Sequence, residues 1–245
     1  SGKIPVVSTF AVFATSRPYD QLRVSISQPR LSVKVVATHS GIITGEDGMS
    51  AHSIEDIAIM CALPGFNVIV PSDAVETPQV IKAAVETEGP FYIRLSRPAT
   101  PVIHEGDYKF VLGKAETLRK GGDATIVACG IMVSAALDAA EELAGDGISC
   151  RVLNMATVKP LDEEAIVRAA EETGAIVTAE EHYVLGGLGS LVSQVVARER
   201  PVPVEVVALK GYAESGAPEE LLAKYHLTSK DVEEAVRKSV GRKAS

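Results

Sequence analysis

Residues 53–95 read SIEDIAIMCALPGFNVIVPSDAVETPQVIKAAVETEGPFYIRL. Two short runs rich in β-branched and aromatic residues, 67–70 and 91–95, each follow a segment of helical period. Ser53 with Asp56 three residues on has the form of a capping box, and Pro64-Gly65 the form of a helix end. Thr77-Pro78 has the form of an N-cap followed by a first-turn proline. Helix, strand, helix, strand at this spacing predicts βαβ units, whose parallel strands are covered on both faces and so read as unbroken apolar runs.

Outward from this stretch the same alternation continues. Residues 4–7 and 33–37 add strands on the N-terminal side. Residues 97–112 carry prolines and no period, which predicts a linker crossing the surface. Beyond it come strands at 124–129, 149–153, 175–179 and 204–208. Helices are expected at 134–144, at 162–172, from Gly186, and from Thr228, where Asp231 completes a capping box. The expected fold is α/β with two doubly wound domains. Residues 1–97 form a truncated domain with a mostly parallel sheet, 98–113 a linker, and 114–245 a smaller domain. A parallel sheet entered directly at residues 4–7 begins mid-architecture, so upstream material is expected to be missing.

Composition narrows the function. No run of the 245 residues has the roughly 20 apolar positions of a membrane span, and the first residues lack the features of a signal peptide, so no membrane partner and a cytoplasmic location are expected. The 24 basic residues are scattered among 32 acidic ones and only 4% are aromatic, so nucleic acid is not an expected partner. Cys61, Cys129 and Cys150 stand in apolar surroundings without metal or redox spacing, which predicts buried reduced thiols. Gly145-Asp146-Gly147 reads as a helix-to-strand turn, and GGLGS at 186–190 as tight helix packing rather than a phosphate cradle.

Taken singly, the polar and aromatic candidates stay open. Phe10 and Phe13 have helical spacing and fit a core face. His39 fits a structural loop histidine, Asp47 a turn residue before Gly48, and Arg97 a solvated loop charge. Their contexts decide more. SGKIPVVSTFAVFATSRPYDQLR (1–23), VKVVATHSGIITGEDG (33–48), SIEDIAIMCALPGFNVIVPSDAVET (53–77), FYIRLSRP (91–98), TVKPLD (157–162) and TAEEHYVLGGLGS (178–190) together resemble the C-terminal half of transketolases. The resemblance covers essentially the whole chain and points in particular to the small subunit of transketolases encoded as two chains.

What this resemblance implies is specific. Thiamine diphosphate is expected at a subunit interface, its aminopyrimidine ring against Phe10 and Phe13. Its diphosphate and magnesium are expected on a partner, a large subunit with the diphosphate-binding domain, in a homodimer or heterotetramer. The resemblance assigns His39, Asp47, Arg97 and His52 to sugar-phosphate binding, with His39 and Asp47 as the catalytic candidates and no metal ligand. Arginine suits a phosphate because its planar fork meets two oxygens at once. The family's catalytic glutamate lies in a GIAEQN-like motif, which does not occur in residues 1–245. Ala51 stands where a substrate-contacting histidine or glutamine is expected, His52 is one residue late, and Ser16 replaces a further aromatic. A 1-deoxyxylulose-5-phosphate synthase-like chain, a 2-oxo acid dehydrogenase β-like subunit and a noncatalytic interaction module are the alternative readings.

Overall fold

The computed structural model describes residues 2–243 and arranges them around two five-stranded sheets. The first half runs β1 (Val6–Val7), α1 (Ala11–Ala14), α2 (Tyr19–Gln21) continuing into a π-helical turn (Leu22–Ser27), and β2 (Lys34–Ala37). A 3-10 segment (Ile42–Asp47), α3 (Asp56–Cys61), β3 (Asn67–Ile69), α4 (Glu76–Glu86) and β4 (Phe91–Arg94) follow. The second half runs β5 (Glu116–Arg119), β6 (Ala124–Ala128), α5 (Met132–Gly145), β7 (Cys150–Asn154), β8 (Thr157–Lys159), α6 (Glu163–Thr173) and β9 (Ile176–Tyr183). It ends with α7 (Leu188–Glu199), β10 (Val204–Leu209), α8 (Pro218–Lys224) and α9 (Ser229–Gly241).

The α/β architecture with two mostly parallel sheets is as expected. The first sheet has the order β1-β2-β4-β3-β8 and the second β10-β9-β6-β7-β5. Val35 and Val68 flank Tyr92 in register on the central strand β4, and all three are buried, as a strand covered on both faces requires. The antiparallel members are β8 and β5, each at a sheet edge.

Strand β8, from the second half of the chain, joins the first sheet. Two residues after leaving β7 in the second sheet, the chain pairs with β3 of the first, Ile69 opposite Thr157 and Val68 opposite Lys159. The Lys159 ammonium then reaches the Cys61 and Leu63 carbonyls at 2.8 and 2.7 Å, supplying donors to the C-terminal end of α3. One apolar cluster includes Val68 and Tyr92 of the first sheet with Val127, Leu153 and Val158 of the second half. The two sheets therefore share a core.

Several local expectations are corrected. The first strand is confined to Val6–Val7, both exposed. Ser53 and Asp56 form no capping box: α3 begins at Asp56, whose carboxylate turns inward to Tyr92 and Arg94. Thr77 and Pro78 lie inside α4, and the start of that helix is held by Asp73, whose carboxylate accepts the Val75 and Glu76 amides at 3.0 and 2.8 Å. The connecting stretch is irregular but not wholly on the surface, because His104 is buried between Asp73 and Glu116. Cys129 and Cys150 are buried free thiols, whereas Cys61 is only partly covered. The capping box of Thr228 with Asp231 is present.

Candidate functional site

Residues 9–11 lie alongside residue 38: the Thr38 amide donates to the Thr9 carbonyl at 3.0 Å, and the Ala11 amide to the Thr38 carbonyl at 2.7 Å. One helical turn follows. Its small residues Ala11 and Ala14 enter the core, so Phe13 is left 39% exposed. Phe10 stacks parallel on Phe13 with ring centroids 5.6 Å apart, and the His39 ring lies on Phe10 at 3.6 Å. The Arg17 guanidinium sits 4.3 Å from the Phe13 centroid, a cation–π contact. His39 has a positive φ of 56°, and its Nδ1 lies 2.9 Å from the Thr38 hydroxyl. Its pKa is lowered by burial first and then by Arg97, with Asp47 acting in the opposite direction.

Arg97 and Asp47 belong to the loop built from THSGIITGEDG. Glycines 41, 45 and 48 all take positive φ there, which lets the backbone double back twice within eight residues. Arg97 Nη1 donates to the Thr44 carbonyl at 2.7 Å and to Glu46 at 3.2 Å, and stands 3.7 Å from Asp47. The loop thus supports the arginine from below with a carbonyl and from the side with acids. His52 is not at this surface: it is 2% exposed, with Nε2 3.0 Å from the Gly45 carbonyl. The shifted histidine braces the loop from inside, and Ala51 beside it is also buried. Ser16 is exposed and donates to the Val12 carbonyl.

The floor of this loop is a buried charged group that the sequence reading missed. Arg94, three residues before Arg97, donates from Nε to Asp56 at 2.8 Å and from Nη2 to the Glu181 and Ser53 carbonyls. Tyr92 donates its hydroxyl to the same Asp56 oxygen at 2.5 Å. Glu181, on β9 of the second sheet, accepts the Ile43 amide at 2.8 Å. The available signal was the pair of adjacent acids in IVTAEEHY, a strand buried at all but its last residue. Its other acid, Glu180, accepts the Leu188 and Gly189 amides at 2.7 and 2.8 Å. The first amides of the helix opened by GGLGS are therefore met by the chain's own Glu180 carboxyl group. Asp146 pairs with Arg237 at the surface, as a turn residue would. Among the described residues, no group of three or more His, Cys, Asp or Glu is arranged to hold a metal ion, and no helix is long and apolar enough to cross a membrane.

Fold and site together define a two-sheet α/β protein that offers a parallel ring stack beside an arginine-backed glycine loop. A family model for the transketolase pyrimidine binding domain matches residues 1–102, and one for the transketolase C-terminal domain matches residues 113–232. The chain is 44% identical over 244 residues to a 6-deoxy-6-sulfo-D-fructose transketolase subunit of Clostridium sp. (strain MSTE9), covering 99% of this chain and 76% of that one. It is 41% identical over 210 residues to an apulose-4-phosphate transketolase subunit of Phocaeicola vulgatus, covering 85% of this chain and 67% of the relative. A solved structure described as a split gene transketolase, inactive beta4 tetramer, superposes with a TM-score of 0.94 at 48% identity, over 99% of this chain and 78% of that one. This chain belongs to the transketolase family. The family is thiamine-diphosphate dependent, and the Phe13–Phe10–His39 stack fits a planar heteroaromatic ring: Phe13 keeps 39% exposure, and the Arg17 guanidinium already lies over its ring.

Proposed function

We propose that this chain is the small subunit of a two-chain transketolase that transfers a two-carbon ketol unit between ketose and aldose phosphates. The carrying observation is the position of His39: its ring continues the Phe10–Phe13 stack, and Arg97 and Asp47 lie near enough to act on its charge, though less than burial does. One side chain thus joins the surface suited to a cofactor ring with the loop suited to a sugar phosphate.

When bound, thiamine diphosphate would supply the carbanion chemistry that ketol transfer needs. Phe13 would hold its pyrimidine ring by stacking, with Phe10 backing Phe13 from the other side. Arg97 binds the terminal phosphate through the edge of the fork that its Thr44 and Glu46 contacts leave over. His39, whose pKa is lowered chiefly by burial, presents Nε2 to a substrate hydroxyl while Nδ1 stays on Thr38. Asp47 accepts a hydrogen bond from a second hydroxyl. The diphosphate and magnesium ligands and the family's catalytic glutamate come from outside residues 1–245, from a partner chain that carries the diphosphate-binding domain. The relatives named as transketolase subunits, and the inactive tetramer described for a split gene transketolase, support this division.

The test is reconstitution. Mixed with a partner chain carrying the diphosphate-binding domain and the family's glutamate, and with thiamine diphosphate and magnesium, this chain is expected to support ketol transfer that neither chain gives alone. Titration calorimetry of the chain by itself is expected to show no submicromolar, magnesium-dependent cofactor binding. Tight binding by the isolated chain, or no transfer in the mixture, overturns the reading.

A further inference from the structure

We propose that Glu181 is a positioning residue for the loop 41–48: its carboxylate, from the second sheet, anchors the loop at Ile43 and is held by Arg94, so that the second half of the chain sets where Asp47 and Arg97 stand. This rests on the reading of that loop as the one that meets the sugar phosphate. Nothing in the pattern GEDG or LSRP calls for Glu181, which lies 138 residues beyond Ile43.

The contacts converge on the first turn of the loop. Glu181 accepts the Ile43 amide at 2.8 Å, while Gly41, two residues earlier, faces the same carboxylate so closely that a Cβ there would lie 2.1 Å from its atoms. Loop and acid are built against each other, and only glycine with its φ of 73° fits between them. The Ser53 carbonyl accepts both the Gly41 amide, at 2.8 Å, and Arg94 Nη2, at 3.3 Å. Arg94 Nη1 stands 3.7 Å from the Glu181 carboxylate. From α3 Asp56 faces this guanidinium, and from β4 Tyr92 faces Asp56, so two carboxylates share one cation. Further along the loop, Gly48 packs on Ser215 and Gly45 on Gly216 and Pro218, a second set of contacts from the same half of the chain.

A glutamine would fill this space and accept the same amide. An acid buried to this degree carries a desolvation cost that packing alone does not need. What the charge adds is a stronger bond to the Ile43 amide and attraction to Arg94. Burial pushes the Glu181 carboxyl up to about 7, with Arg94 and the Ile43 amide pulling it down and Asp56 adding to the rise. The anchor is therefore charged above neutrality and uncharged below it.

The experiment compares the wild-type chain with Glu181→Gln by hydrogen exchange at amides 42–48, corrected for intrinsic rates, between about pH 6 and about pH 8.5. Protection in the wild type is expected to rise through about pH 7 and to be flat and lower in the variant. In the reconstituted enzyme, the preference in kcat/KM for phosphorylated over unphosphorylated donors is expected to fall about ten-fold or more. A folded variant with wild-type protection, wild-type pH dependence and unchanged donor preference overturns the proposal. Should the variant fail to fold, the wild-type series decides, because pH-independent protection of amides 42–48 is itself contrary to the proposal. Exchange needs no turnover, so a complex that catalyses nothing counts against the transketolase reading while the exchange result still decides the role of Glu181.

Discussion

Arg94 and Arg97 stand three residues apart at the end of one strand and have opposite fates. The Arg97 side chain is 41% exposed, and its fork is only partly engaged. Replacing it with alanine is expected to cost about 2–4 kcal/mol of transition-state binding for phosphorylated donors and little for unphosphorylated ones, as read by kcat/KM in the reconstituted enzyme. Arg94 is 4% exposed and serves Asp56 and Glu181. Arg94→Met leaves two buried carboxylates without a cation, and a loss of about 3–5 kcal/mol is expected in the urea unfolding free energy. Glu181 adds a sign of its own. Its carboxyl titrates near 7 in the folded chain, because of burial, and in the ordinary carboxylate range when unfolded. The native state therefore binds more protons between about pH 4.5 and about pH 7, and this residue's share of stability is fullest below that window and declines as pH rises through it. Urea midpoints at the two ends of the window should show this slope in the wild type and its loss in Glu181→Gln. Arg97 could be proposed from the sequence because LSRP carries it. Arg94 was not, since its partners lie 38 and 87 residues away and a strand-end arginine looks like any surface charge.

At the scale of elements, Asp73 shows why the start of α4 was misplaced. One carboxylate oxygen takes the Val75 and Glu76 amides, and the other takes the Ile103 and His104 amides and the His104 ring. It begins a helix and ties down the connecting stretch with the same group. Burial alone would raise the Asp73 pKa, but the Glu76, His104 and Ile103 amides and the His104 ring overcome it and leave the pKa lowered. Its stabilisation is thus present above the unfolded carboxylate pKa and is lost as pH falls through the lower folded value. Asp73→Ala is expected to lower unfolding free energy by about 1–3 kcal/mol at neutral pH, measured by denaturant titration, with the difference shrinking at strongly acidic pH. A capping rule applied to neighbours along the chain points to Thr77-Pro78. The acid that does the work stands three residues before the helix, and half of its partners come from 30 residues downstream. Long periodic segments such as α5, α6 and α9 were legible from their own residues. β5 and β8 were not, because three or four residues carry no period and their pairing is decided by the sheets they meet.

For the whole molecule, alternation along the sequence foretold two sheets but not that the second half lends a strand to the first. Without β8, the β3 edge at Val68 and Ile69 stands open, an apolar strand inviting intermolecular pairing. A fragment of residues 1–112 is therefore expected to aggregate or to unfold at a lower temperature than the whole chain, whereas the whole chain should unfold in one calorimetric transition with equal calorimetric and van't Hoff enthalpies. Two separate transitions in the whole chain would show that the shared core of Tyr92, Val127 and Val158 does not couple the halves. The crossing of β8 also bears on how such genes can be recombined. The irregular stretch near residue 105 invites a crossover between related genes, yet a hybrid joined there inherits a first sheet shaped around one ancestor's β8 and is supplied with another's.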